Sequence, residues 1–426
     1  MPKLQPDPTL ATLPNGVRVV ALRLPQLQSA SVSVFVRSGS AHESRPLNGI
    51  SHVIEHMVFK GTAERDCRSI NLDAERLGAE VNAHTDKDHT AFHMRGLGRD
   101  APAFVRMLGD IVRHASFPED ELARERQVLL HEYTEDEEDP VSEAFRLFDR
   151  ACYGWHPLAQ PVIGSRGNIE RFSRADLVGH VARQYSGANL VVGAAGDVDP
   201  AQIVSEVEAV FGSMPAGGAN LIAAPAWNGG LKSRQMPGSS QTHAVIGFSI
   251  PPLQHEDPAC ALAAALFGEG MSSPLLDQLR ERRGLVYHAA CSADVVDQGG
   301  QFVVEMSTSP TQLDECLTQL MRLLATQAEG VDAVDLERAR NQLIVRRLRD
   351  SERAGRRLEA AALDLLVRGA LRPPDEWAAR IAAATADEVS AVFRRLLASP
   401  VAAALTGSVG RGVAARSRAT LGLGEA

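Results

Sequence analysis

Two histidines and a glutamate stand close together in "NGISHVIEHMVFKGT", residues 48–62. Side chains of these types can hold a divalent ion and activate water for hydrolysis; they can also simply decorate a solvated helix. Read as a helix over 49–60, the stretch places Ile50, Val53, Ile54, Met57 and Val58 on one face, the spacing of a buried stripe. His52, Glu55, His56 and Phe59 fall opposite. His52 and His56 are one turn apart, so both rings can reach a single ion. Glu55 lies beside them, placed to take a proton from water rather than to complete the ligand set.

A catalytic zinc usually takes three protein ligands and leaves a fourth position to water, so another element must supply the third. The stretch "PEDELARERQVLLHEYTEDEEDP", residues 118–140, reads as a long helix. Glu125 and Glu132 are two turns apart on it and share a face, while Leu122, Leu129 and Tyr133 are left for packing. Glu132 is the chosen ligand, and Glu125 a carboxylate that orients one histidine ring. His84, His89, His93 and His131 stand as alternatives. His131 competes directly with Glu132, because neighbours on a helix point about 100° apart. The acidic run 135–139 reads as a solvated face.

The elements that must position these groups come from a chain of 426 residues, enough for two or three domains. A net charge of −9 argues against nucleic acid as a partner and mildly favours cationic peptides. With no run of about 18 apolar residues, no membrane span is expected. The five cysteines, Cys67, Cys152, Cys260, Cys291 and Cys316, are scattered and never in C-x-x-C spacing, which fits a reducing compartment and offers no thiolate site. The first residues lack signal-peptide patterning, and a cytoplasmic location is expected.

Strand-like runs at 30–40, 90–97 and 189–198 alternate with helical patterns. A Gly-, Ala- and Pro-rich stretch at 214–240 reads as a linker between a half at 1–213 and a half at 241–426. The halves look like distant copies. "SVSVFVRSGS" at 31 has a counterpart in "HAVIGFSIPP" at 243, and "TAFHMRGL" at 90 in "GQFVVEMSTS" at 300. The counterpart of the histidine-bearing helix is "CALAAALFGEGMSSP", which contains no histidine. A duplicated scaffold with a single reactive site is the expectation.

Residues 52–62, "HVIEHMVFKGT", closely resemble the zinc helix of the pitrilysin and insulinase family, whose H-x-x-E-H order is the inverzincin signature. The mitochondrial processing peptidase branch and its bacterial relatives are the nearest match. The resemblance implies that Glu132, within "ERQVLLHE", completes the zinc site and that Glu125 supports it. "GAEVNAHTDKDHTAFH" at 78–93 is similar to the family's edge strand, where Asn82 and Ala83 would contact the substrate backbone. "GEGMSSPLLDQLRERRGLVYH" at 268–288 resembles the second-half signature, whose arginine and tyrosine fall on Arg280 and Tyr287. "QYSGANLVVGAAGDVDP" at 184–200 matches a strand of the first half.

The fold so implied is α+β, two homologous halves that are each an antiparallel-rich mixed sheet covered by helices. The implied activity is that of an endopeptidase with one Zn2+ per subunit. Its unfolded peptide substrates would add as a strand to a free sheet edge inside a chamber formed by paired subunits. Glu55, Arg280 and Tyr287 would act on the substrate. A homodimer is expected, with a heterodimer containing an inactive homologue as the alternative. A non-catalytic peptide-binding or scaffold subunit is the rival reading.

Overall fold

The computed structural model describes residues 7–373 and 375–424 and divides into two compact units. The first unit is built on strands β1 (Thr9–Thr12), β2 (Arg18–Arg23), β3 (Ser29–Val36), β4 (Glu80–Thr85), β5 (Thr90–Leu97) and β6 (Leu190–Gly196). Their order in the sheet is β1-β2-β6-β3-β5-β4; β2 and β6 run parallel and all other pairs antiparallel. The sequence "SASVSVFV" of β3 is buried on both faces. Val32, Val34 and Val36 join a core with Ile50, Ile54, Phe104 and Leu108, whereas Ser31 and Ser33 alternate onto the other face. Helices α1 (Ile50–Met57), α2 (Cys67–Arg76), α3 (Ala101–Arg113) and α4 (Glu119–Glu138) follow in chain order, and α5 (Pro140–Tyr153) comes next.

The second unit repeats the plan with β7 (Gly230–Gln235), β8 (Thr242–Ser249), β9 (Val286–Val296), β10 (Gly299–Thr308) and β11 (Ala402–Gly407). The order is β7-β11-β8-β10-β9, again with one parallel pair, β7 and β11. This matches β2-β6-β3-β5-β4 strand for strand. The molecule is therefore a mixed α/β protein of two homologous sheet-and-helix halves.

The compact units do not follow the contiguous stretches 1–213 and 241–426. The first comprises the chain up to Tyr133, Pro161–Ile222 and Arg349–Arg372; the second takes Thr134–Gln160, Ala223–Leu348 and the chain from Pro373. The cause is an exchange of helices. α5 packs on β7, β8 and β11 of the second sheet, and the helix Ala354–Arg368 packs on β2, β3 and β6 of the first. The stretch 214–240 also needs correcting as a linker, because Gly230–Gln235 is a strand. Only Leu231 of β7 is buried, so this edge strand carries no apolar alternation to betray it. Among the described residues no helix is long and apolar enough to cross a membrane.

Candidate metal centre

The helix that carries the histidines is only eight residues long, too short to be stable by itself. Two features hold it. Ile50, Val53, Ile54 and Met57 are fully buried along one face, each contributing roughly 1.5–3 kcal/mol. At the N-terminus Gly49, at φ +98°, has no side chain to cap the first turn. The buried Glu43 does so instead, accepting from the backbone N–H of Gly49 at 2.7 Å and of Ser51 at 2.8 Å. A Cβ at Gly49 would meet the Cα of Gly164 at 2.8 Å, so glycine is needed for space as well as for φ. The helix ends at Met57, short of the expected residue 60, but Val58 remains buried and keeps the stripe intact.

Opposite that stripe, His52, His56 and Glu132 each offer a ligand atom, and the three atoms lie within 4.8 Å of one another. His56 Nε2 is 3.6 Å from Glu132 Oε2, and His52 Nε2 is 3.9 Å from it. Glu132 comes from α4, which is anchored by Leu122 and Leu129 in the core and by the partly buried Tyr133. Two turns earlier on α4, the buried Glu125 accepts from His56 Nδ1 at 2.8 Å and pairs with Lys60 Nζ at 2.7 Å. Burial pushes the Glu125 carboxyl up, yet Lys60 and His56 outweigh it and leave the group below its ordinary range. The carboxylate thus stays ionised against the imidazole and fixes His56 with Nε2 turned to the centre.

Burial, followed by the charge of His56, lowers His52 to about 4, so this imidazole is neutral at ordinary pH, as a metal ligand must be. Its Nδ1 is buried and makes no hydrogen bond. Glu55 is not one of the three but lies close enough to feel the charges of His56 and Glu132, and it accepts from Thr85 Oγ1 at 2.6 Å. Burial raises the Glu55 carboxyl, against the pull of the Thr85 hydrogen bonds. Two imidazoles and one carboxylate are the donor set of catalytic zinc sites, so the residues present fit such an ion.

The other residues singled out from sequence fall into three groups. Asn82 and Ala83 lie on β4, which among the described residues pairs only with β5 and is the last strand of its sheet. The Ala83 N–H donates to Asn82 Oδ1 at 2.8 Å, an outward donor satisfied by its neighbour's side chain. A cavity of about 300 Å³ opens there, lined among others by Glu55, His56, Phe59, Val81 and Ala83. His131 is exposed on α4, and His84 of β4, His89 of the following turn and His93 of β5 gather with one another; none joins the triad. Arg280 and Tyr287 belong to the second unit. Arg280 sits in a π-turn, Asp277–Glu281, and Tyr287 is on the edge strand β9 with 62% of its surface exposed.

Sequence reasoning passed over Glu43, Lys60 and Thr85. Lys60 had a usable signal, since 52, 56 and 60 continue the four-residue spacing. Thr85 follows Ala83 by two, on the same face of an edge strand. Glu43 gave none, because a cap reaching back from outside the helix has no fixed spacing.

The repeated strand order and the histidine-bearing helix define the class first: a duplicated α+β protein with metal-ligand chemistry in one copy. Residues 18–166 match the insulinase family model, peptidase family M16, and residues 171–343 match the model of the peptidase M16 inactive domain. An uncharacterized zinc protease of Mycobacterium bovis is 32% identical over 96% of this chain and 97% of its own length. The uncharacterized zinc protease YmxG of Bacillus subtilis is 28% identical over 92% and 97%. Among solved structures, a protease from Helicobacter pylori superposes with a TM-score of 0.87 at 20% identity, covering 94% of this chain and 99% of that one. A peptidase M16 inactive domain from Pseudomonas fluorescens gives 0.87 at 20% identity over 95% and 99%. The chain belongs to the insulinase family of peptidases, M16.

Proposed function

We propose that the chain is a zinc-dependent endopeptidase that cleaves unfolded peptides bound as an added strand along β4. The observation that carries this reading is the convergence of His52, His56 and Glu132 to within 4.8 Å, with Glu55 beside them. Those three residues would hold one catalytic zinc per subunit. When bound, zinc supplies a Lewis acid and lowers the pKa of water toward neutrality. Glu55 accepts the proton of the attacking water and returns it to the leaving amine. Thr85 fixes the carboxylate while it does so. The peptide backbone pairs with the free edge at Asn82 and Ala83, which gives affinity with loose sequence preference. Asn82 must release the Ala83 N–H for that bond to form.

Arg280 and Tyr287 are assigned to the substrate carbonyl oxygen as charge develops there, donated by the partner in a homodimer. Mixing inactive Glu55→Gln and Tyr287→Phe subunits tests the donation, since co-assembly restores cleavage only if the residues act across subunits.

The deciding measurement is zinc content alongside cleavage of a peptide library, for wild type and Glu55→Gln. Glu55→Gln is expected to keep its zinc and lose turnover by about 10²–10⁴-fold. A wild type that binds zinc and peptides but cleaves nothing is a peptide-binding subunit, and the enzymatic reading then fails.

A further inference from the structure

Away from the centre just described, five side chains of the first unit form an unbroken hydrogen-bonded row. Asp88 Oδ1 lies 2.7 Å from His89 Nδ1, and His89 Nε2 lies 3.2 Å from His84 Nε2. His84 Nδ1 lies 3.0 Å from His93 Nε2, and His93 Nδ1 2.7 Å from Ser33 Oγ. His84 is on β4 and His93 on β5, their rings stacked with centroids 5.0 Å apart. His89 and Asp88 are buried in the turn that joins the two strands.

An ionised Asp88 can only accept, so His89 carries its hydrogen on Nδ1 and turns Nε2 toward His84. Two polarities of the row are then open, and the first pairs every atom without an added charge. In one, Ser33 donates to His93, His93 to His84 and His84 to His89. In the other the polarity is reversed: His84 donates to His93 and His93 to Ser33. The reversed row leaves two lone pairs, on His84 Nε2 and His89 Nε2, on nitrogens that face each other across 3.2 Å. Only a positive charge between them completes it, and that charge is either a proton or a metal ion.

We propose that this position is a second cation site, in which a borderline divalent ion such as Zn2+ or Cu2+ is held between His84 Nε2 and His89 Nε2, with water filling the remaining positions. The 3.2 Å separation of the two nitrogens is close to the ~3.3 Å between two nitrogens that each lie ~2.0–2.1 Å from a tetrahedral ion. Both outer nitrogens are already held, His89 by a carboxylate and His84 by a second imidazole, the arrangement that fixes ring orientation at metal sites. Imidazole suits zinc, copper and nickel. The surroundings are net acidic: the carboxylates of Asp86 and Glu359 act on both His84 and His89, and Asp88 acts on His89, with Arg356 opposing at His84. Among the described residues no third ligand completes a three-residue group here, so this ion is bound more weakly than the one at His52, His56 and Glu132. The site shares no ligand with that centre and stands whether or not the chain is a peptidase.

The test uses the full chain with His52→Ala and His56→Ala, which removes the first site. One equivalent of Cu2+ is added, and the electron paramagnetic resonance spectrum is expected to show coupling to two imidazole nitrogens. Adding His84→Gln should abolish that pattern and weaken Zn2+ binding by about tenfold or more. A pattern unchanged by His84→Gln overturns the proposal. Equilibrium dialysis of the unaltered wild type decides independently of any variant's folding: saturation at two Zn2+ per chain supports the second site, and saturation at one rejects it.

Discussion

The helix Ile50–Met57 and the helix Pro258–Gly268 hold the same place in the two units, the first between β3 and β4 and the second between β8 and β9. In the first, His52, Glu55 and His56 are half-buried; the two histidines face α4 and Glu55 bonds Thr85 of β4. In the second, the same position is filled by "PACALAAALFG", nearly all of it buried. The partner helices differ in step. α4 presents the carboxylates of Glu125 and Glu132 to imidazoles. Its counterpart Ala333–Ser351 presents Arg338, whose guanidinium donates to the backbone carbonyls of Leu266 and Glu269. One copy therefore keeps polar side chains on the face opposite the core. The other closes the same space with apolar packing and caps the helix end with a cation, the favourable sign at a helix C-terminus.

That contrast can be broken at either end. The largest effect is expected from His56→Ala, which removes a proposed ligand from the first unit: zinc binding at the centre should be lost and cleavage fall to background, as zinc analysis and a peptide assay would show. Phe267→Ala acts on the second unit, where its side chain is completely buried. It should cost about 3–5 kcal/mol in denaturant unfolding while the zinc content of the folded protein is unchanged. A loss of zinc in that variant would mean the apolar copy supports the centre directly.

Smaller changes sharpen the comparison. Glu125→Gln keeps the shape but not the charge that orients His56, and zinc affinity measured by competition with a chelator should fall about 10–100-fold. Thr85→Val removes the hydrogen bond to Glu55. With such bonds to charged groups worth about 1.5–3 kcal/mol, kcat should drop about tenfold or more with zinc affinity unaltered. A drop in zinc affinity instead would make Thr85 a scaffold for the helix rather than for the base.

Much of the first unit was legible before any coordinates. The apolar stripe of α1 and the long helix at 118–140 follow from side-chain periodicity, as does β5 at 90–97. The duplication shows in matched segments at matched spacing. The shared face of Glu125 and Glu132 follows from helix geometry, and the structure brings both toward the histidines. What periodicity does not encode is which sheet a helix covers. α5 and Ala354–Arg368 both read as amphipathic, and nothing local says that each belongs with strands far away in sequence. The row through His84, His89 and His93 was equally hidden. On an alternating strand these residues look like separate polar positions until the β4–β5 register, with Asn82 opposite His93 and His84 opposite Ala91, sets them side by side.

The exchange of helices has a consequence for biosynthesis. Leu358, in the helix Ala354–Arg368, lies against Gly193 of β6, so the first sheet lacks its cover on that face until residue 368 has left the ribosome. The proposed ligands His52, His56 and Glu132 are translated early, yet the sheet behind them gains this cover only after most of the second unit has been made. A nascent chain halted after Ile222 would leave that face uncovered, with Val20 exposed beside Ser31 and Ser33, and a ribosome-bound intermediate of that length should be a client for chaperones.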